Sequence, residues 1–281
     1  MKDDRQSGFR HAKQDIESMG QVPRTPQTEA PAYRLAFGDE EFLLRDELRP
    51  VRLQLELLKP EMLMAEAGIE STVVLFGGAR IPEPSQKDKA RTKTLAGLSR
   101  YYDEARSFAK QITARNLDNG STREVVVTGG GPGVMEAGNR GAEDAGGRSI
   151  GLNIVLPHEQ APNGYVTPEL CFNFHYFALR KMHFLMRAKA IAVFPGGFGT
   201  LDELFESLTL IQTGRMERVP VLLFGSEFWH SILDFEALSE AGTISAEDLD
   251  LFRFVETAED AIKVMDTWEG AGTKRGEIPG R

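Results

Sequence analysis

The stretch Pro195-Gly196-Gly197-Phe198-Gly199-Thr200-Leu201-Asp202-Glu203 brings together residue types that chemistry uses in combination. Its glycines let a backbone turn sharply and approach a ligand closely. A helix start, read at Thr200, aims free N–H groups and the positive end of the helix dipole outward, and such a corner attracts anions. Asp202 and Glu203 place two carboxyl groups in the same corner. An anion site gains nothing from acids, so two roles are open to them. One is work on another part of a ligand. The other is support of the helix: Thr200-Leu201-Asp202-Glu203 fits a capping box, and an acid in a first turn is favourable by ~0.3–1 kcal/mol.

The elements around this corner follow from the apolar pattern. Residues 190–194 form an apolar run that reads as a buried strand, and the segment after Thr200 reads as a helix whose core stripe is Leu201, Leu204, Phe205, Leu208 and Ile211. Glu203, Glu206 and Thr209 lie off that stripe. Upstream, residues 72–76 read as a strand ending at Gly77-Gly78, and residues 124–128 as a strand ending at Gly129-Gly130-Gly131-Pro132-Gly133. Further strands are expected at 149–156, 170–174, 219–224 and 252–255. Helices are expected at 87–117, 134–145, 176–189, 228–239 and 258–268. Alternating strands and helices with continuously apolar strands predict an α/β fold, a doubly wound parallel sheet of Rossmann-like type. Ligands sit at the carboxyl ends of such strands, so the three glycine turns should converge on one crevice.

Ahead of this domain, residues 1–35 are polar and proline-containing and read as a mobile tail. Residues 36–70 read as a helical extension, with Pro50 and Pro60 separating short helices. The nucleotide-binding domain is expected over 71–269, with a flexible tail over 270–281. The net charge of −9 argues against non-specific nucleic-acid binding. The single cysteine, Cys171, excludes an intrachain disulfide, fits a cytoplasmic location and reads as a buried structural thiol. There is no signal-peptide pattern, and no apolar run approaches the ~20 residues of a membrane span. His175 and His183 are spaced too widely for a metal pair, and no metal is expected.

Spacing argues against two kinds of nucleotide site. A dinucleotide fingerprint begins at Gly131 and again at Gly197, but Glu136 and Asp202 occupy the positions of its last glycine, and Asn153 stands where an acid should follow. No Gly-Lys-Ser/Thr occurs, so there is no P-loop. No lysine stands in a recognisable pyridoxal-phosphate context, and no cofactor is expected.

The segment 195–203 matches the PGGxGTxxE signature and thereby resembles the LOG ("lonely guy") family of cytokinin riboside 5′-monophosphate phosphoribohydrolases, often labelled lysine decarboxylases. Arg180-Lys181 resembles the family's Arg-Lys pair one helix upstream. Gly129 to Met135 resembles its glycine loop, and Leu156-Pro157-His158-Glu159 its proline loop. The resemblance covers about residues 71–255. Gly77-Gly78 replaces the usual Gly-Ser after the first strand, the loop at Glu159 differs in length from the short plant-type members, and these lack the helical extension.

The resemblance implies hydrolysis of the N-glycosidic bond of a nucleoside 5′-monophosphate, of adenine (AMP) or cytokinin type, by Glu203 and Arg180. The implied substrate-binding residues are Glu159, Lys181, Gly196, Gly197, Phe198, Gly199, Thr200, Leu201, Asp202, Thr209, Gly130, Gly131 and Gly133. Amides of residues 197–200 would hold the phosphate, Arg180 would bind phosphate or organise a carboxylate, and Glu203 would serve the sugar. The competing readings are a solvated Arg180, a snorkelling Lys181 and a plain loop acid at Glu159. A homodimer or higher homo-oligomer is implied too, with the leucine-rich segment 42–58 placed to cap its interface. The rival function is a nucleotide sensor or carrier that uses the same pocket without turnover, and a dinucleotide oxidoreductase is the third.

Overall fold

The computed structural model describes residues 10–120, 123–157 and 161–273. One compact unit runs to Glu56 and a second begins at Leu57. The first part of the chain carries α1 (Ala12–Met19), α2 (Glu40–Leu43) and the start of α3 (Arg49–Glu66). The composition of residues 1–35 did not announce α1. Pro60 lies inside α3 and is buried, so the helix is not divided there. The missing N–H costs one helical bond, which burial of the ring offsets.

In the second unit β1 (Thr72–Phe76) leads through a long loop to α4 (Lys93–Gly97) and α5 (Arg100–Asp118), then β2 (Val125–Thr128), α6 (Val134–Asp144) and β3 (Ser149–Ile154). β4 (Cys171–Phe174), α7 (Phe177–Leu185), β5 (Ala188–Val193) and α8 (Phe198–Gln212) follow. The unit ends with β6 (Val221–Phe224), α9 (Ser226–Ile232), α10 (Phe235–Glu240), β7 (Arg253–Val255) and α11 (Ala258–Asp266). The helix expected over 87–117 is therefore broken, and Thr92 caps α4 by accepting the N–H of Leu95. The helix expected over 228–239 is split, because Asp234 caps a new one at Ala237. α7 stops before Arg187, whose carbonyl accepts from Thr72 N as the chain enters the sheet. Helix propensity there yields to strand pairing.

The seven strands form one parallel sheet in the order β4-β3-β2-β1-β5-β6-β7. β1, β2, β3 and β6 are buried along their whole length, as continuous apolar runs predict for a sheet covered on both faces. On one face Val73, Leu75, Val126 and Phe194 pack with Phe108 and Ile112 of α5 and Ala258 of α11. Phe194 also stacks on Phe224 at 4.0 Å. On the other face Phe76 meets Phe184 of α7 edge-on at 4.9 Å. The chain runs outward from β1 to β4 and then returns to the opposite side of β1 as β5. The switch point is therefore between β1 and β5, where a doubly wound sheet opens its crevice.

Candidate active site

Gly78, just past β1, joins the two glycine turns on either side of it. Its N–H donates to Pro195 O at 2.9 Å, and its carbonyl accepts from Val134 N at 3.3 Å. The three turns thus converge as the strand pattern predicts. Gly133, the residue before α6, adopts φ 69°, ψ −129°, and its Cα faces the backbone of Gly78 and Ala79. Only glycine takes that conformation without strain, and only glycine fits that contact.

The turn at β2 is held from behind by amides. Asn163 donates from Nδ2 to the carbonyls of Gly130 and Gly131, each at 3.0 Å, and to Asn139 Oδ1 at 2.9 Å. Asn139 Oδ1 also accepts from Thr128 Oγ1, while its Nδ2 donates to Ser149 Oγ. Thr128 Oγ1 accepts the N–H of Gly130. Asn139, Asn163 and Thr128 were not singled out in the sequence. A signal existed for Asn139, a fully buried amide among Ala137, Gly138, Gly141 and Ala142 on α6, because a buried polar group must find partners.

Arg180 leaves α7 across the ends of β2 and β3. Its Nε donates to Leu152 O at 2.7 Å, and its guanidinium lies over the Phe184 ring at 5.2 Å. A Cβ on Gly129 would come within 2.6 Å of Nη2, so the missing side chain makes room for this cation. Arg180 is thereby fixed in the crevice and is not a solvated helix residue.

α8 starts at Phe198, two residues before the expected Thr200, and its N-cap is Gly197, with no side-chain cap. The N–H groups of Thr200 and Leu201 both return to Gly197 O at 3.0 Å. The capping-box reading of Thr200 and Glu203 therefore fails, and the amide of Thr200 is already engaged. A Cβ at Gly197 or Gly199 would meet nothing within 4 Å. Phe198, between them, is 92% exposed. Gly196, by contrast, is crowded by Thr200 Oγ1 and Gly78 N.

The buried face of α8 is Thr200, Glu203, Leu204, Ser207 and Ile211. The expected stripe is corrected: Leu201 and Leu208 are half-buried and Phe205 is exposed. Glu203 is 6% exposed, and its Oε2 has no hydrogen-bond partner among the described residues. Burial pushes its carboxyl up to about 7; Lys181 and Arg180 oppose the shift, and Glu206 and Asp202 add to it. Lys181 Nζ pairs with Asp202 Oδ2 at 2.7 Å and Glu206 Oε2 at 2.8 Å. Asp202 is thus engaged by a cation and is not a first-turn acid acting on the dipole.

Thr209 is not brought to the crevice. It lies ~9 Å further along α8 than Glu203, is exposed, and its hydroxyl donates to Phe205 O at 2.7 Å. Glu159 lies outside the described residues. Cys171 is half-buried, its Sγ accepts from Asn153 Nδ2 at 3.3 Å, and burial pushes its thiol up. That suits a structural thiol and not a nucleophile. Among the described residues no helix is long and apolar enough to cross a membrane, and no group of three His, Cys, Asp or Glu could hold a metal ion.

A family model described as a possible lysine decarboxylase matches residues 135–265. Cytokinin riboside 5′-monophosphate phosphoribohydrolase LOG3 of Arabidopsis thaliana is 27% identical over 173 residues, 60% of this chain and 76% of that one. A probable enzyme of the same name, LOGL3 of Oryza sativa subsp. japonica, is 29% identical over 195 residues, 64% of this chain and 83% of that one. Among solved structures, the molybdenum cofactor binding protein of Rippkaea orientalis aligns at 17% identity and a TM-score of 0.47, over 70% of this chain and 96% of that one. The resemblance carried by residues 195–203 and by Arg180-Lys181 thus extends to overall sequence similarity with LOG enzymes.

Proposed function

We propose that this chain, similar in sequence to the LOG phosphoribohydrolases, hydrolyses the N-glycosidic bond of a nucleoside 5′-monophosphate to free base and ribose 5-phosphate. One observation carries the reading: a buried carboxyl with an unpartnered oxygen, Glu203, stands behind a turn whose glycines leave open space. The first-turn amides of α8 ahead of Thr200 and the fixed Arg180 suit the phosphate. In the reaction the C1′–N bond breaks with its electron pair going to the base, and the sugar gains oxocarbenium character. Glu203 as carboxylate stabilises that charge and takes a proton from the water whose oxygen bonds C1′; the departing base takes up a proton from solvent or from the acid so formed. A carboxyl titrating near neutrality can serve in either proton state.

The test is release of free base from AMP and from isopentenyladenosine monophosphate by the purified protein, against Glu203→Gln as control. Base release no greater than that of the control ends the reading. Within the same proposal fall residues 71–269 as the catalytic domain, a cytoplasmic location and a homodimer or higher homo-oligomer. Light scattering checks the last.

A further inference from the structure

We propose that Lys181 is a charge-setting residue for Glu203, held by Asp202 and Glu206 and not by substrate. The inference rests on the reading of Glu203 as the reacting carboxyl, but its physical content is separate. Asp202 and Glu206 flank Glu203 on α8, one residue before it and three after. Lys181 reaches across from α7 and bonds both, and its side chain is largely buried. Two of its three donors are thereby spent. A lysine bonded directly to Glu203 would fix that carboxyl in its ionised form. With the ammonium bonded to the two flanking acids, Oε2 of Glu203 has no hydrogen-bond partner among the described residues although a cation stands nearby.

Four charged groups act on Glu203: Arg180 and Lys181 from α7, Asp202 and Glu206 from α8. Burial is the largest influence on the proton affinity of Glu203; the two cations oppose it and the two carboxylates add to it. Burial disfavours the ammonium of Lys181 as well, but its bonds to Asp202 and Glu206 outweigh this and keep it protonated. Removing the charge of Lys181 leaves a net negative environment, which must drive Glu203 toward its neutral form. Removing Glu206 or Asp202 must do the reverse.

The experiment is an NMR titration of the full-length protein carrying ¹³C-labelled glutamate, with the Glu203 signal identified by its loss in Glu203→Gln. Lys181→Met is expected to raise the Glu203 midpoint by about one to two pH units, and Glu206→Gln to lower it by a similar amount. An unmoved midpoint in Lys181→Met, accompanied by weaker binding of AMP, would make Lys181 a substrate contact and overturn the proposal. Should Lys181→Met fail to fold, an unmoved midpoint in both Glu206→Gln and Asp202→Asn overturns it equally. The titration reads the free protein, so absence of base release would remove the glycosidase reading and leave this one standing. In an active enzyme the corresponding limb of the pH–rate profile moves with the midpoint, whereas a merely structural defect lowers the rate at every pH.

Discussion

At the end of β2 the glycines are enclosed by the protein. Gly129 faces Arg180 and Met135, Gly130 faces Asn153, and Gly133 faces Gly78 and Ala79. At the end of β5, Gly197 and Gly199 face nothing within 4 Å, and neither has a positive φ. The two turns look alike in sequence but use glycine for opposite reasons. In the first, glycine lets the chain pack against itself and seat Arg180. In the second, the absent side chains leave room for something the chain does not supply. In the proposed reading the enclosed turn is scaffold and the open part of the second turn, Gly197 to Gly199, is where the ligand is received.

That contrast breaks most visibly at Glu203. Glu203→Gln is expected to lower the rate of base release by about 10²–10⁴ while making the protein more stable at pH 8. The carboxyl is raised from 4.5 to about 7 in the folded state. Its contribution to stability is therefore complete below pH ~4.5 and is lost as pH rises through about 7. Urea titrations should show the variant ahead by on the order of 1–3 kcal/mol at pH 8 and level with the parent near pH 4. Equal stability at pH 8 would deny that the charge is held at a cost.

The enclosed turn should respond in stability instead. Gly133→Ala, forced into a conformation reserved for glycine and against the Gly78 backbone, should lose about 2–4 kcal/mol, read from the urea midpoint. Asn163→Ala strands the carbonyl of Gly131 and the N–H of Tyr165 and removes one donor to Asn139 Oδ1, while the Gly130 carbonyl keeps the backbone N–H of residue 163. It should lose about 1–3 kcal/mol. Gly199→Ala is the opposite case, a glycine in the first turn of a helix with space around it. It should gain about 0.5–1 kcal/mol yet bind AMP about tenfold more weakly, the worth of one hydrogen bond to a charged group. Unchanged affinity in Gly199→Ala, measured by calorimetry, would make the open turn vacant for no reason and erase the distinction.

The sheet was legible because buried parallel strands are written as unbroken apolar runs, and residues 72–76, 125–128 and 190–193 show them plainly. The convergence of the glycine turns followed from topology alone. The burial of Glu203 did not, because the sequence offers Leu201, Phe205 and Leu208 as a better stripe. The helix instead buries Thr200, Glu203, Leu204, Ser207 and Ile211 and leaves Phe205 exposed. The start of α8 was misplaced because a glycine N-cap carries no side-chain signature. The partners of Lys181 lie on the next helix, and those of Asn163 in the β2 turn and on α6. Such contacts depend on the finished fold and leave no local pattern. Thr209 shows the converse: the resemblance implied a ligand contact, but it is exposed ~9 Å further along α8 than Glu203, with its hydroxyl on Phe205 O.

The unpartnered oxygen of Glu203 has a consequence for how the crevice exchanges with its surroundings. Near pH 7 about half of these carboxyls carry a proton. If the proposed function holds, a phosphate dianion arriving at the open turn adds negative charge beside them, and the equilibrium must shift toward the protonated form. Capture of the anion therefore draws up to about half a proton per site from the medium. The heat of binding must then change with the ionisation enthalpy of the buffer, as it would in a device that admits anion and hydrogen ion together.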